Sequence, residues 1–205
     1  MNIKKTANLL LNFAIKRLAE IFGLIIFSAG ILLILSLITY SPEDPNFIFP
    51  NDKEINNIFG YHGSFVSDLF LQSFGMMSYL ISLTLIVTGI NIFRLKEFFL
   101  VIENIFFSIL YLICGTLFLT FFYSETYALY INGNGGFVGT YLNQTFLKSL
   151  IQINEMAFYY IFLILITFLF LISVNFHPIK FYERFKKLFS LFNKKDNKNY
   201  TYKSE

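Results

Sequence analysis

Four stretches of this chain are each about as long as a bilayer is thick and almost free of charge. That pattern limits its fold more than any other feature. They cover about residues 21–40, 69–93, 99–123 and 156–176. A hydrocarbon core about 30 Å thick is crossed by roughly 20 helical residues. Inside it every backbone N–H and C=O must find a partner within the protein, so such blocks are expected to be helices. The composition points the same way. Of the 205 residues, 56% are hydrophobic and only 14% charged, which would leave a soluble domain with too much apolar surface. The expected fold class is therefore all-α integral membrane with four transmembrane helices. The first block is longer than the apolar core of a usual signal peptide, and no A-x-A site precedes the "SPEDP" after it. It reads as a retained span.

Basic residues orient these spans. Fourteen of the sixteen Lys and Arg fall before the first block, between the second and third, or after the fourth. Only Lys53 and Lys148 lie in the other two connections. The positive-inside rule predicts both termini in the cytoplasm and two extracytoplasmic loops, about residues 41–68 and 124–155. Three regions follow: a basic cytoplasmic segment over 1–20, a four-span membrane domain over 21–176, and a basic cytoplasmic tail over 177–205.

The connections carry local signals. Pro42 and Pro45 of "SPEDPNF" stop the first helix at the interface, and Pro45 biases Asp44 toward an extended conformation. In "NNIFGYHGSFVSDLF", Gly60 and Gly63 permit a tight turn, and Ser64 is the expected N-cap of the next helix. The second block holds Gln72, Ser73, Ser78, Ser82, Thr84, Thr88 and Asn91, with Gly75 and Gly89. Small and hydroxyl residues let membrane helices approach and hydrogen-bond, so packing within the bundle is expected there, ahead of a docking face. After Gly136, Val138, Tyr141, Leu142 and Phe146 alternate with polar residues at helical spacing, which predicts an amphipathic helix on the outer membrane surface. In the tail, Phe181, Phe185, Leu188, Phe189 and Phe192 fall on one helical face, which predicts a juxtamembrane basic helix on anionic lipid. An unpatterned polar stretch follows it.

Catalytic and cofactor signatures are absent. The "NGNGG" cluster matches neither G-x-x-x-x-G-K-[ST] nor G-x-G-x-x-G, and H-E-x-x-H, G-x-S-x-G and C-x-x-C do not occur. His62, expected in a loop, and His177 are predicted on opposite sides of the membrane, so they cannot share a metal. Cys114 is a lone thiol in an apolar block and reads as a small hydrophobe. Glu103 lies near the inner end of the third span, where snorkelling to the interface is expected ahead of a proton relay. No catalytic residue, cofactor or metal site is expected.

One family shares this arrangement. A serine-to-DP turn follows the first span (Ser41, Pro42, Asp44, Pro45). An N-x-x-G-x-x-G-x-x-x-x-D segment leads into the second (Asn57, Gly60, Gly63, Asp68, then Gly75). A G-G-x-x-G segment precedes the fourth (Gly135, Gly136, Gly139). Across about residues 18–178 the chain resembles the N-terminal four-transmembrane domain of the FtsK/SpoIIIE DNA translocases. The resemblance implies a septal, inner-membrane anchor of the bacterial cell-division machinery, involved in cell division and chromosome segregation. It makes those twelve residues the expected structural and interaction motif. Its expected partners are the lipid bilayer and other division-site membrane proteins. It also admits a separate FtsK-type motor polypeptide and a homo-oligomer. No Walker motif is present, so neither ATP hydrolysis nor direct nucleic-acid binding is carried over to this chain. A small polytopic transporter or transporter subunit is the alternative, with Gln72 in the polar second span as its test position.

Overall fold

The computed structural model of the protein describes residues 3–45, 54–124 and 132–176 together with residue 186, with side chains from Ala7 onward. Among the described residues every regular element is helical. In chain order these are α1 (Ile3–Ile38), α2 (Gly60–Phe74), a 3₁₀ turn (Gly75–Met77), α3 (Ser78–Leu95), α4 (Phe99–Phe122), α5 (Gly136–Asn143), α6 (Phe146–Ile153) and α7 (Glu155–Ser173). Four stretches are long and apolar enough to cross a membrane: Ala7–Ile38, Gly60–Leu95, Phe99–Phe122 and Glu155–Ser173. Residues 1–174 form one compact unit and 175–205 a second. The juxtamembrane helix expected in the tail, and His177, lie outside the described residues.

Two helix pairs make the bundle. α1 packs along α3, and α4 along α7, with α3 also touching α4 and α7. The first pair is held close by glycine. A Cβ on Gly23 would meet the Phe93 backbone nitrogen at 2.6 Å, and one on Gly89 would meet the Phe27 nitrogen at 2.4 Å. The two backbones therefore touch through bare Cα atoms, the close approach that small residues allow in membranes. Gly89→Leu is expected to wedge α1 from α3 and lower stability by about 3 kcal/mol, read by unfolding the detergent-solubilised chain with SDS. An unchanged midpoint would show that the crossing tolerates separation.

The second pair is aromatic. Phe118 lies 5.3 Å from Tyr159 and Tyr111 5.8 Å from Phe170, ring centre to ring centre. The polar face of the second span turns inward. Thr84 shares a 3.0 Å hydrogen bond with Tyr111, the Asn104 amide donates to Thr88 at 2.7 Å, and the Asn91 amide donates to the Val174 carbonyl at 3.2 Å. These groups hold the bundle together, as their small and hydroxyl character predicts.

The second apolar block is not one helix. It breaks at Gly75, and the direction of α2 follows from what flanks it. Asn57, just before α2, donates its amide to the Ser36 carbonyl at 2.9 Å, and Tyr79, just after it, donates to the Leu37 carbonyl at 3.0 Å. Both ends of α2 therefore lie near the last turn of α1, although its 15 residues measure about 22 Å. A helix along the bundle axis could not do this, so α2 is steeply inclined. α3, with 18 residues and about 27 Å, covers the depth of a bilayer core by itself.

At the other end, the Glu20 carboxylate pairs with Arg17 and, at 2.7 Å, with the Lys96 ammonium. From Glu20 to Ile38 is 18 residues, or about 27 Å of helix. This charged belt thus sits one bilayer core away from the end of α1.

Candidate functional site

The long connections all emerge at the end of the bundle where α1 finishes, here called the loop end. The last carbonyls of α1 run short of helical donors there, and in an apolar setting each needs a partner. The chain supplies them from the turn that follows and from distant residues. Thr39 bonds back to the Leu35 carbonyl at 2.9 Å, the Asn57 amide takes Ser36, and Tyr79 takes Leu37.

Asn57 is aimed by Asp44. Ser41, Pro42, Glu43 and Asp44 form a turn closed by Asp44 N–H to the Ser41 carbonyl at 3.2 Å, with Pro42 at the position whose φ it presets. Asp44 is only 3% exposed. It accepts from the Asn56 and Asn57 backbone N–H, each at 2.9 Å, and from the Asn56 side chain at 3.1 Å. The Asn57 side-chain oxygen then accepts the Phe59 N–H at 3.2 Å, and its carbonyl accepts the Gly60 N–H at 2.8 Å. α2 begins at that point. Gly63 leaves room for Asn57, because a Cβ there would lie 2.0 Å from its oxygen. Ser64 donates to the Pro45 carbonyl at 2.9 Å. Asp68 accepts from the Tyr40 hydroxyl at 3.1 Å. Burial, and then the Asp68 charge, push the Tyr40 phenol up to about 12, so it remains a donor at neutral pH.

A second fastening joins the break after α2 to α5. Gly75 has φ +58° and ψ −142°, close to a region only glycine enters readily, and Gly136 has φ +66°. The two backbones abut there. A Cβ on Gly75 would lie 1.9 Å from the Asn134 carbonyl oxygen, which accepts the Met76 N–H at 2.9 Å. Asn134 also donates its amide to the carbonyl of Tyr123, the residue that follows α4. Gly135 and Gly139 face α4, where added Cβ atoms would fall 2.0 and 2.3 Å from the Thr120 hydroxyl. Asn132 donates to the Gln72 side chain and carbonyl, both at 3.3 Å.

The twelve motif residues thus gather into two clusters at one end of the bundle. Ser41, Pro42, Asp44, Pro45, Asn57, Gly60, Gly63 and Asp68 tie α1 to α2. Gly75, Gly135, Gly136 and Gly139 tie α2 to α4 and α5. Three local expectations are corrected. Ser64 does not cap the helix: α2 starts four residues earlier, and Ser64 is buried inside it with its hydroxyl on Pro45. His62 lies in the first turn of α2 rather than in a loop. The amphipathic helix after Gly136 is two helices, because Thr145 turns extended and caps α6 by accepting the Leu147 N–H at 3.3 Å. Sequence reasoning passed over Asn56, Asn134 and Tyr40. Asn134 stands among glycines in "NGNGG", and an asparagine there was a legible sign of a side chain bonding to backbone.

Among the described residues no three His, Cys, Asp or Glu converge on a point that could hold a metal. Gln72 sits at the loop end with its amide oxygen on Asn132, away from mid-bilayer. Between α2 and α5 runs a groove of about 450 Å³, with Phe65, Leu69 and Phe137 as apolar walls and Asp68, Gln72 and Asn132 at its polar edge.

Comparison with known proteins gives a consistent answer. The family model described as the 4TM region of DNA translocase FtsK/SpoIIIE matches residues 15–186. A DNA translocase FtsK of Rhizobium meliloti (strain 1021) is 28% identical over 96 residues, which is 47% of this chain and 11% of that protein. One from Azospirillum brasilense is 33% identical over 79 residues, 38% of this chain and 12% of its own length. One from Rickettsia bellii (strain RML369-C) is 33% identical over 78 residues, 38% of this chain and 10% of its own. The matched stretch thus spans about a tenth of the length of these relatives. No solved structure matches.

Proposed function

This chain belongs to the four-transmembrane family of the FtsK/SpoIIIE DNA translocases, and from that premise we propose that it is an inner-membrane anchor of the bacterial cell-division machinery. The observation that carries the proposal is the family match over residues 15–186, which takes in both fastened clusters at the loop end. In this reading the loop end faces outward and the belt of Arg17, Glu20 and Lys96 faces the cytoplasm, in keeping with the distribution of basic residues. The mechanism is binding. Asp44, Asn57 and Asn134 hold four helices and two connections in one shape, so the outer face meets its partners with little ordering left to do. The relatives are named DNA translocases. The membrane domain would hold such a motor, in cis or as a separate polypeptide, at the septum while the outer groove contacts other division proteins.

A fluorescent fusion of the full chain in dividing cells tests this. A band at midcell is expected. Uniform membrane fluorescence from an intact fusion would overturn the septal role. Orientation is checked separately by membrane-impermeant thiol labelling of cysteines placed at Ser41 and Lys96. Ser41→Cys is expected to label from outside and Lys96→Cys only after permeabilisation, and the reverse pattern would invert the topology.

A further inference from the structure

We propose that the crossing of α1 and α3 forms a binding site for a phospholipid with an anionic phosphodiester head, its acyl chain in the groove and its phosphate at Arg94. The groove holds about 380 Å³. Its floor is the bare contact of Gly23 and Gly89, both buried. Its walls are Leu24, Phe27, Ile90 and Phe93, with Leu24 and Phe93 at least half exposed. The missing glycine side chains make the depression, and everything lining it but Arg94 is hydrocarbon or helix backbone. Both helices are candidate membrane crossings, so the groove opens to lipid.

Charge selects the occupant. Arg94 lines the groove in the last turn of α3, close to the charged belt. Among the described residues it has no carboxylate partner. The carboxylate of the belt, Glu20, is already held by Arg17 and Lys96. Around this end of the two helices stand four cations, Lys16, Arg17, Arg94 and Lys96, against Glu20 and Glu97. An anion is therefore favoured at the head of an apolar slot, and a guanidinium offers paired donors to phosphate oxygens. A zwitterionic choline head would bring its own cation into a surplus of positive charge.

The chain contains no tryptophan, so Phe93→Trp introduces a single reporter at an exposed position. The full chain carrying it is reconstituted into vesicles containing brominated phosphatidylglycerol or brominated phosphatidylcholine, and quenching is compared. An apparent preference of about fivefold for the glycerol lipid is expected, the effect of one cation at an anionic surface. Arg94→Gln in that background is expected to abolish the preference. Lys148→Gln, which removes the same charge from α6, is expected to leave it unchanged. Equal quenching by the two lipids, or a preference that survives Arg94→Gln, would overturn the proposal. So would weak quenching by both, which would mean that protein covers the groove. The chain without tryptophan gives an independent readout by native mass spectrometry from mixed-lipid vesicles. Phosphatidylglycerol should remain bound to it and be lost from Arg94→Gln, and equal retention by both would count against the site.

Discussion

Asp44→Ala is expected to release the first connection from α1 and to lower the unfolding free energy by about 3 kcal/mol. The carboxylate is buried and accepts three N–H donors from Asn56 and Asn57. Removing it strands the buried Asn57 N–H, at about 1–3 kcal/mol for a buried unsatisfied group, while the donors of the exposed Asn56 turn to water. The loss also spreads to α1. Asn57 caps the Ser36 carbonyl only while its backbone is held by Asp44. Hydrogen exchange provides the measurement. Protection should fall at Asn56, Asn57 and Gly60 in the variant, with α4 and α7 unchanged. Unaltered protection at those three amides would show that Asp44 is not the fastener. Asp44→Asn should give an intermediate loss, because its amide keeps one acceptor oxygen but turns two N–H donors toward others.

Gly75→Ala is expected to be at least as damaging, by about 3 kcal/mol, for two separable reasons. Its dihedral angles are ones an L-residue reaches only with strain of about 1–3 kcal/mol. Its new methyl would also overlap the Asn134 carbonyl, 1.9 Å away, and push out the acceptor of the Met76 N–H. Gly60→Ala separates the two effects. Gly60 also has positive φ, +60°, but a Cβ there meets nothing within 4 Å. That variant should show strain alone, about 1 kcal/mol. Thermal or SDS unfolding of both in parallel distinguishes the cases. Equal losses would mean that the contact with α5 contributes nothing.

Why was the membrane architecture legible while the fastenings were not? Apolar blocks announce their fate locally. A run such as residues 99–123 must bury its own backbone hydrogen bonds in lipid, and only a helix does so without a partner chain. The polar face of the second span was legible for a related reason: Thr84, Thr88 and Asn91 cannot face hydrocarbon cheaply, so they turn inward. Ser64 shows the opposite case. Its local surroundings read as a cap, but the carbonyl it bonds belongs to Pro45, 19 residues away. Local pattern cannot weigh such a bond. Thr145 was misread because apolar spacing on either side of it matched one helical face, while its own hydroxyl stabilised a new start.

The motif residues stand as a list in the sequence, and their contacts with one another exist only in three dimensions. Asp44 and Asn57 are 13 residues apart, and Gly75 and Asn134 nearly 60. Nothing in either neighbourhood states that they meet. By itself the sequence determined the class of solvent, the four helical blocks and the charge asymmetry between their ends. Each depends on the transfer of a residue or a short segment into lipid, which is a property of composition and length. Tertiary structure alone decided the break at Gly75, the incline of α2 and the clasp of Asp44 on Asn57. These depend on which distant donor reaches an unpaired helix-end carbonyl, and on how closely two backbones approach when no side chain keeps them apart.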